Sequence, residues 1–283
     1  MTSPLIDAAP LAARLQTPGW VVVDCRFRLT RPQAGRSLYA QAHIPGARYA
    51  HLDDDLAAPP RPTDGRHPLP APDTFAVTVG RWGISNADTV VAYDDASGAI
   101  AARLWWMLRW VGHARVFVLN GGLQAWQSAG WPMESERPTW APAEFCLGEV
   151  RTDWVVSAND VPGELQRGAA LVDARASERF AGRSEPIDPI AGHVPDAVNY
   201  PFSKALDSNG FMRASGELRG ELEPFTQRPG GLIAMCGSGV TACHLLLALH
   251  SAGLGDGRAY IGSWSEWIRD PRRAGAGGDA PAA

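Results

Sequence analysis

The sequence predicts an α/β fold in two tandem domains, each a mostly parallel β-sheet flanked by helices. Three observations predict it. Short segments are uniformly apolar, amphipathic stripes lie between them, and a set of blocks occurs twice in the same order.

The apolar segments are Val21 to Val23, Val90 to Tyr93, Val116 to Leu119, Leu171 to Val172 and Leu232 to Met235. They do not alternate, which is the pattern of parallel strands buried on both faces. Between them, Ile100, Leu104, Met107, Leu108 and Val111 fall on one helical face and stop at Gly112. Ala242, Leu245, Leu246 and Leu249 do the same before Gly253. Strands alternating with helices give a parallel sheet covered on both sides. The repeat is read in four blocks. Val23-Asp24-Cys25-Arg26 matches Val172-Asp173-Ala174-Arg175, and His43-Ile44-Pro45-Gly46-Ala47 matches His193-Val194-Pro195-Asp196-Ala197. Val90 to Asp94 matches Leu232 to Cys236, and Val116 to Trp126 matches Ala259 to Trp267. Matched order argues for duplication. The predicted boundaries are a first domain over 5–132, a linker over 133–154, a second domain over 155–272 and a disordered tail over 273–283, rich in Ala and Gly.

With 283 residues the chain suffices for two domains with separate cores. A net charge of −4 provides no basic field for nucleic acid. No long apolar run and no basic leader with an apolar core is present, so neither a membrane span nor secretion is predicted, and the cytoplasm is the expected compartment. Cys25, Cys146, Cys236 and Cys243 form no C-x-x-C pair and no zinc-spaced cluster, so free thiols and no metal are expected. No cofactor fingerprint is found.

The sharpest motif is Met235-Cys236-Gly237-Ser238-Gly239-Val240-Thr241-Ala242. A buried strand ends, a glycine-punctuated loop follows, and an apolar helix begins. Ligands bind at the carboxyl ends of such strands. The loop Gly237 to Thr241 can curl so that its N–H groups converge in a nest that favours an anion, with Ser238 and Thr241 adding hydroxyls. With Cys236 at its centre, the anion is the thiolate or a persulfide, and the thiol pKa is expected to fall. A phosphatase loop of this shape needs Arg six residues after the cysteine; here that residue is Ala242. The first copy has Asp94 at the matching corner, so one copy is read as catalytic and the other as structural.

Cys236-Gly237-Ser238-Gly239-Val240-Thr241 is similar to the active loop of the two-domain rhodanese/3-mercaptopyruvate sulfurtransferase family. The blocks Gly83-Ile84-Ser85-Asn86, Leu104-Trp105-Trp106-Met107-Leu108 and Leu119-Asn120-Gly121-Gly122 resemble that family as well, so the resemblance covers nearly the whole chain. It implies an inactive first domain and a catalytic second one. It also implies a Cys236 persulfide that receives sulfur from a small anionic donor, 3-mercaptopyruvate or thiosulfate, and passes it to cyanide, a small thiol or a thioredoxin-like acceptor. A monomer is expected. The alternative is a non-catalytic binding or redox-sensing module on the same fold.

The resemblance assigns substrate binding to Arg179 and brings His67 from the first domain towards the nucleophile, in a relay with Ser238. The family's carboxylate partner of that histidine aligns with His51, while Asp53 and Asp55 are nearby. A second family arginine, nine residues beyond Arg179, is Asp188 here; Arg183 is the substitute expected from the same loop. Arg26 and Arg175 are expected to pair with Asp24 and Asp173, His43 and His193 to share a fold role, and Cys243 to be core.

Overall fold

The uninterrupted apolar segments become the central strands of two all-parallel sheets in a computed structural model that describes residues 3–274. The first sheet contains β1 (Leu5–Ile6), β2 (Trp20–Asp24), β3 (Arg48–Tyr49), β4 (Thr89–Tyr93) and β5 (Val116–Leu119), in the order β1-β5-β4-β2-β3. The second contains β6 (Ala170–Asp173), β7 (Val198–Asn199), β8 (Leu232–Met235) and β9 (Arg258–Ala259), in the order β7-β6-β8-β9. Every strand pair is parallel. Burial on both faces explains the sequence pattern: β4 and β8 are buried at every residue.

The two amphipathic stripes form helices Ala101–Trp110 and Thr241–Ser251. Gly112 ends the first at φ +88° and Gly253 ends the second at φ +71°, left-handed positions that favour glycine. The large aromatic residues fill the cores. Trp105, Trp106, Trp126 and Trp264 are almost wholly buried.

Two features of the repeat are structural. Arg26 forks onto Asp24 and donates to the Ala42 carbonyl at 2.6 Å; Arg175 forks onto Asp173 and donates to the Gly192 carbonyl at 2.8 Å. Each buried guanidinium thus ties the end of a central strand to the His-x-Pro turn, and removal of one partner would strand a buried charge at a cost of about 3–5 kcal/mol. His43 Nδ1 meets the Tyr39 carbonyl while its ring stacks on Tyr39, and His193 does the same with Phe180.

The chain divides into two units whose membership differs from a simple cut. The first comprises 1–58, 69–152 and 208–212; the second comprises 59–68, 153–207 and 213–283. The segment 133–152, read as linker from its prolines, is fixed to the first unit. Ala143, Gly148 and Arg151 N–H groups donate to the carbonyls of Gly80, Val111 and Trp110. Asn86 exchanges side-chain bonds with the Cys146 backbone. Proline removed the periodicity there without removing the packing. Pro271–Ala274 add a helical turn in which Arg273 lies over Trp267, so the tail expected to be disordered from 273 keeps helical order through 274. Residues 275–283 lie outside the described residues. Among the described residues no helix is long and apolar enough to cross a membrane.

At the corner after β4, the first copy shows what this loop shape does. Asp94 is fully buried, and its Oδ1 accepts from the Ala96 and Gly98 N–H groups while Oδ2 accepts from those of Ile100 and Ala101, all at 2.7–2.8 Å. Burial pushes this carboxyl up, and the four amides oppose that push. Asp94→Asn places an amide donor against two of these N–H groups. The substitution is expected to lower the unfolding free energy of the full chain by about 2–4 kcal/mol, measured by urea denaturation.

Candidate active site

Cys236 follows β8 at the position that Asp94 occupies after β4, and both corners are built alike. The third residue after each is left-handed, Ser97 at φ +54° and Gly239 at φ +76°. The carbonyl of each corner residue accepts a turn amide, Leu123 N–H onto Asp94 and Trp264 N–H onto Cys236. Where Asp94 gathers amides, Cys236 Sγ accepts the Gly239 N–H at 3.1 Å. The nest expected from the two glycines therefore presents a main-chain donor to sulfur. Gly239 is required twice over. Its φ is positive, and a Cβ there would lie 2.3 Å from the Ile261 carbonyl oxygen.

The thiol is not on open surface, as a reactive cysteine would suggest: Cys236 is 2% exposed. The side chains gathered at this loop come from three segments of the second unit. His67 Nδ1 and Ser238 Oγ are hydrogen-bonded at 2.8 Å, and both residues are buried. A methyl group on Gly237 would lie 3.0 Å from Arg66 Nη2 and 3.5 Å from both terminal nitrogens of Arg179. Val240 caps the helix that Thr241 opens. The structure thus brings Cys236, Gly237, Ser238, Gly239, His67 and Arg179 together. His67 does so from segment 59–68, which belongs to the second unit despite its place in the first half of the chain.

Other expected residues sit differently. Arg183 is exposed on the turn after helix Ser177–Phe180, where its N–H donates to the Glu178 carbonyl; Arg66, not Arg183, is the second guanidinium beside Gly237. The reason is local: the left-handed Gly182 ends that helix and carries Arg183 outward. His51 has a capping role. Its ring meets the Asp54 N–H and the Pro32 carbonyl, and its own N–H donates to Asp55. Cys243 is fully buried and its Sγ lies 3.3 Å from the Gly239 carbonyl oxygen.

Four contributors were not singled out in the sequence. Ser263, at φ +54°, accepts the Cys236 N–H at 3.0 Å and donates to the Tyr260 carbonyl. Its signal was the repeat, because Gly122 holds the matching left-handed position in the first copy. Ser265 accepts the Arg66 N–H at 3.1 Å and donates its own N–H to the Gly237 carbonyl at 2.9 Å. Glu185 receives the fork of Arg179, with Nη2 at 2.8 Å. Burial acts to raise the Glu185 carboxyl, but Arg179 and the Asp188 and Ile187 amides hold it below its usual range. Arg66 carried no local signal, being one arginine in a Pro-rich loop.

Gly239→Ala should displace the amide that faces sulfur. It is expected to cost about 2–3 kcal/mol of stability and to slow alkylation of Cys236 by about tenfold. Gly253→Ala, at φ +71° with open space around it, serves as the control for backbone strain alone and should leave the alkylation rate unchanged.

The rhodanese-like domain family matches residues 7–129 and again 157–270. The chain is 46% identical over 280 residues to a Pseudomonas aeruginosa protein named "Probable 3-mercaptopyruvate sulfurtransferase", covering 97% of this chain and 98% of that one. It is 36% identical over 260 residues to the thiosulfate sulfurtransferase of Bos taurus, covering 89% of this chain and 86% of that one. The crystal structure of SseA from Escherichia coli, a 3-mercaptopyruvate sulfotransferase, superposes with a TM-score of 0.80 at 30% identity, covering 94% of this chain and all of that one. With both halves matched and relatives aligned end to end, the chain belongs to the two-domain rhodanese/3-mercaptopyruvate sulfurtransferase family.

Proposed function

We propose that this sulfurtransferase carries sulfane sulfur on Cys236 in a double displacement. The Cys236 thiolate attacks the sulfur of 3-mercaptopyruvate or the outer sulfur of thiosulfate. A new S–S bond forms at Cys236 as the donor's C–S or S–S bond breaks. The departing electron pair stays with pyruvate, as an enolate that takes up a proton, or with sulfite. Cyanide, a small thiol or a thioredoxin-like protein then attacks the outer persulfide sulfur and returns the Cys236 thiolate.

The observation that carries this reading is the Gly239 N–H at 3.1 Å from Sγ, in a loop whose duplicate corner meets a full carboxylate with four amides. A corner that meets the buried Asp94 carboxyl with four amides supports a thiolate or persulfide at the same place in the other copy. Hydrogen-bonded Ser238 and His67 provide a proton route beside the loop, suited to the protonation of a departing enolate. Arg179 steers the anionic head of the donor, since guanidinium forks grip carboxylates and sulfonates.

The test is the mass of the intact protein after exposure to each donor. One sulfur atom should be gained by the wild type and none by Cys236→Ser. His67→Ala and Ser238→Ala should keep the persulfide but lower kcat with 3-mercaptopyruvate by about a hundredfold. A folded wild type that gains no sulfur from either donor would instead be the non-catalytic module.

A further inference from the structure

A second guanidinium lies beside Arg179 at the Cys236 loop, and it comes from another part of the chain. Nine residues after Arg179 the chain has Asp188. Its carboxylate is buried and bridges two guanidiniums: Oδ1 accepts from Arg66 Nη1, and Oδ2 accepts from Arg179 Nη2 at 3.1 Å. Asp188 therefore holds a second guanidinium, that of Arg66, beside Arg179.

Four further observations separate Arg66 from a simple structural ion pair. Its backbone is fixed at the loop: the Arg66 N–H donates to Ser265 Oγ, whose residue in turn donates to the Gly237 carbonyl. The preceding Gly65 approaches so closely that a Cβ would lie 2.5 Å from the Gly262 carbonyl oxygen. Its Nη2 would lie 3.0 Å from a Cβ on Gly237, immediately after Cys236, alongside the Arg179 terminal nitrogens. Finally, Arg66 Nε is buried without a hydrogen-bond partner among the described residues. A buried donor left unmet is costly in a merely structural pair, and it is a ready contact for an arriving oxyanion.

We infer that Arg66 is a donor-binding residue that, together with Arg179, forms the fork for the carboxylate or sulfonate of the sulfur donor, and that Asp188 is the tether that positions it. This inference rests on the sulfur-transfer reading above. The arrangement has a simple logic: one carboxylate holds both guanidiniums beside Gly237. Arginine is suited to the task because its planar fork spends one terminal nitrogen on the tether and keeps others for the ligand.

The test uses the full chain and separates the two half-reactions, since in a double displacement each kcat/KM reports its own substrate. Arg66→Gln is expected to lower kcat/KM for thiosulfate and for 3-mercaptopyruvate by about tenfold or more, the value of one charge-assisted hydrogen bond, while kcat/KM for cyanide stays within about threefold. The reciprocal exchange, Arg66→Asp with Asp188→Arg, should recover most of the donor kcat/KM that Arg66→Asp alone loses. A folded Arg66→Gln protein with unchanged donor kcat/KM overturns the assignment, and so does an equal loss in the donor and cyanide half-reactions. Should Arg66→Gln fail to fold, Arg66→Lys keeps the charge on Asp188 and carries the test. A donor-selective loss of about threefold or more supports the assignment, and no loss overturns it. The two readings fail separately. Wild-type protein that never takes up sulfur at Cys236 removes the sulfur-transfer reading and this one with it, whereas uptake by the wild type with an indifferent Arg66→Gln removes only the role of Arg66.

Discussion

A negative charge set at the buried end of a parallel strand is tolerable only where main-chain amides turn to meet it. That constraint shapes both halves of this chain. In each, an apolar strand stops, a left-handed residue three positions on reverses the loop, and an apolar helix begins. In the first half the enclosed group is the Asp94 carboxyl with four amide donors; in the second it is a sulfur atom facing the Gly239 amide. The two matched corners thus hold different side chains, a carboxyl in the first and a thiol in the second.

The supports around the reactive corner are of two kinds. The Asp24–Arg26 and Asp173–Arg175 forks occur in both halves and belong to the scaffold. The cluster of Arg66, Arg179, Glu185 and Asp188 occurs only beside Cys236. There two carboxylates balance two guanidiniums, so desolvating the cations is offset before any ligand arrives. Burial pushes the Asp188 carboxyl up even as Arg66 draws it down. The same arrangement fixes guanidinium planes that would otherwise be mobile.

The features most legible in the sequence were those carried by repetition and by uniform burial. The five long strands, the two apolar helices, the Asp-x-Arg forks and the turn histidines all follow from matched blocks or from runs that only a doubly covered sheet accommodates. The two-residue strands β1, β3, β7 and β9 were not legible, because two residues carry no period and their place is set by the neighbouring strand. The prolines of 133–152 concealed a packed segment for a related reason: its order comes from single bonds to Gly80, Val111 and Trp110, which leave no pattern along the chain. Within the site, Cys236, Ser238, His67 and Arg179 were readable by motif. Arg66 was not, since its meaning depends on Asp188, a residue more than a hundred positions away that by itself looked like a loss.

Segment 59–68 gives the duplication a consequence for how the protein can be taken apart. The chain leaves its first unit at Ala58, contributes ten residues to the second, and resumes the first at Leu69. A fragment cut at the apparent midpoint would retain the sulfur loop and lose both the histidine and the arginine that flank it. The second unit is therefore discontinuous in sequence, and its complete loop surroundings require residues encoded in the first half.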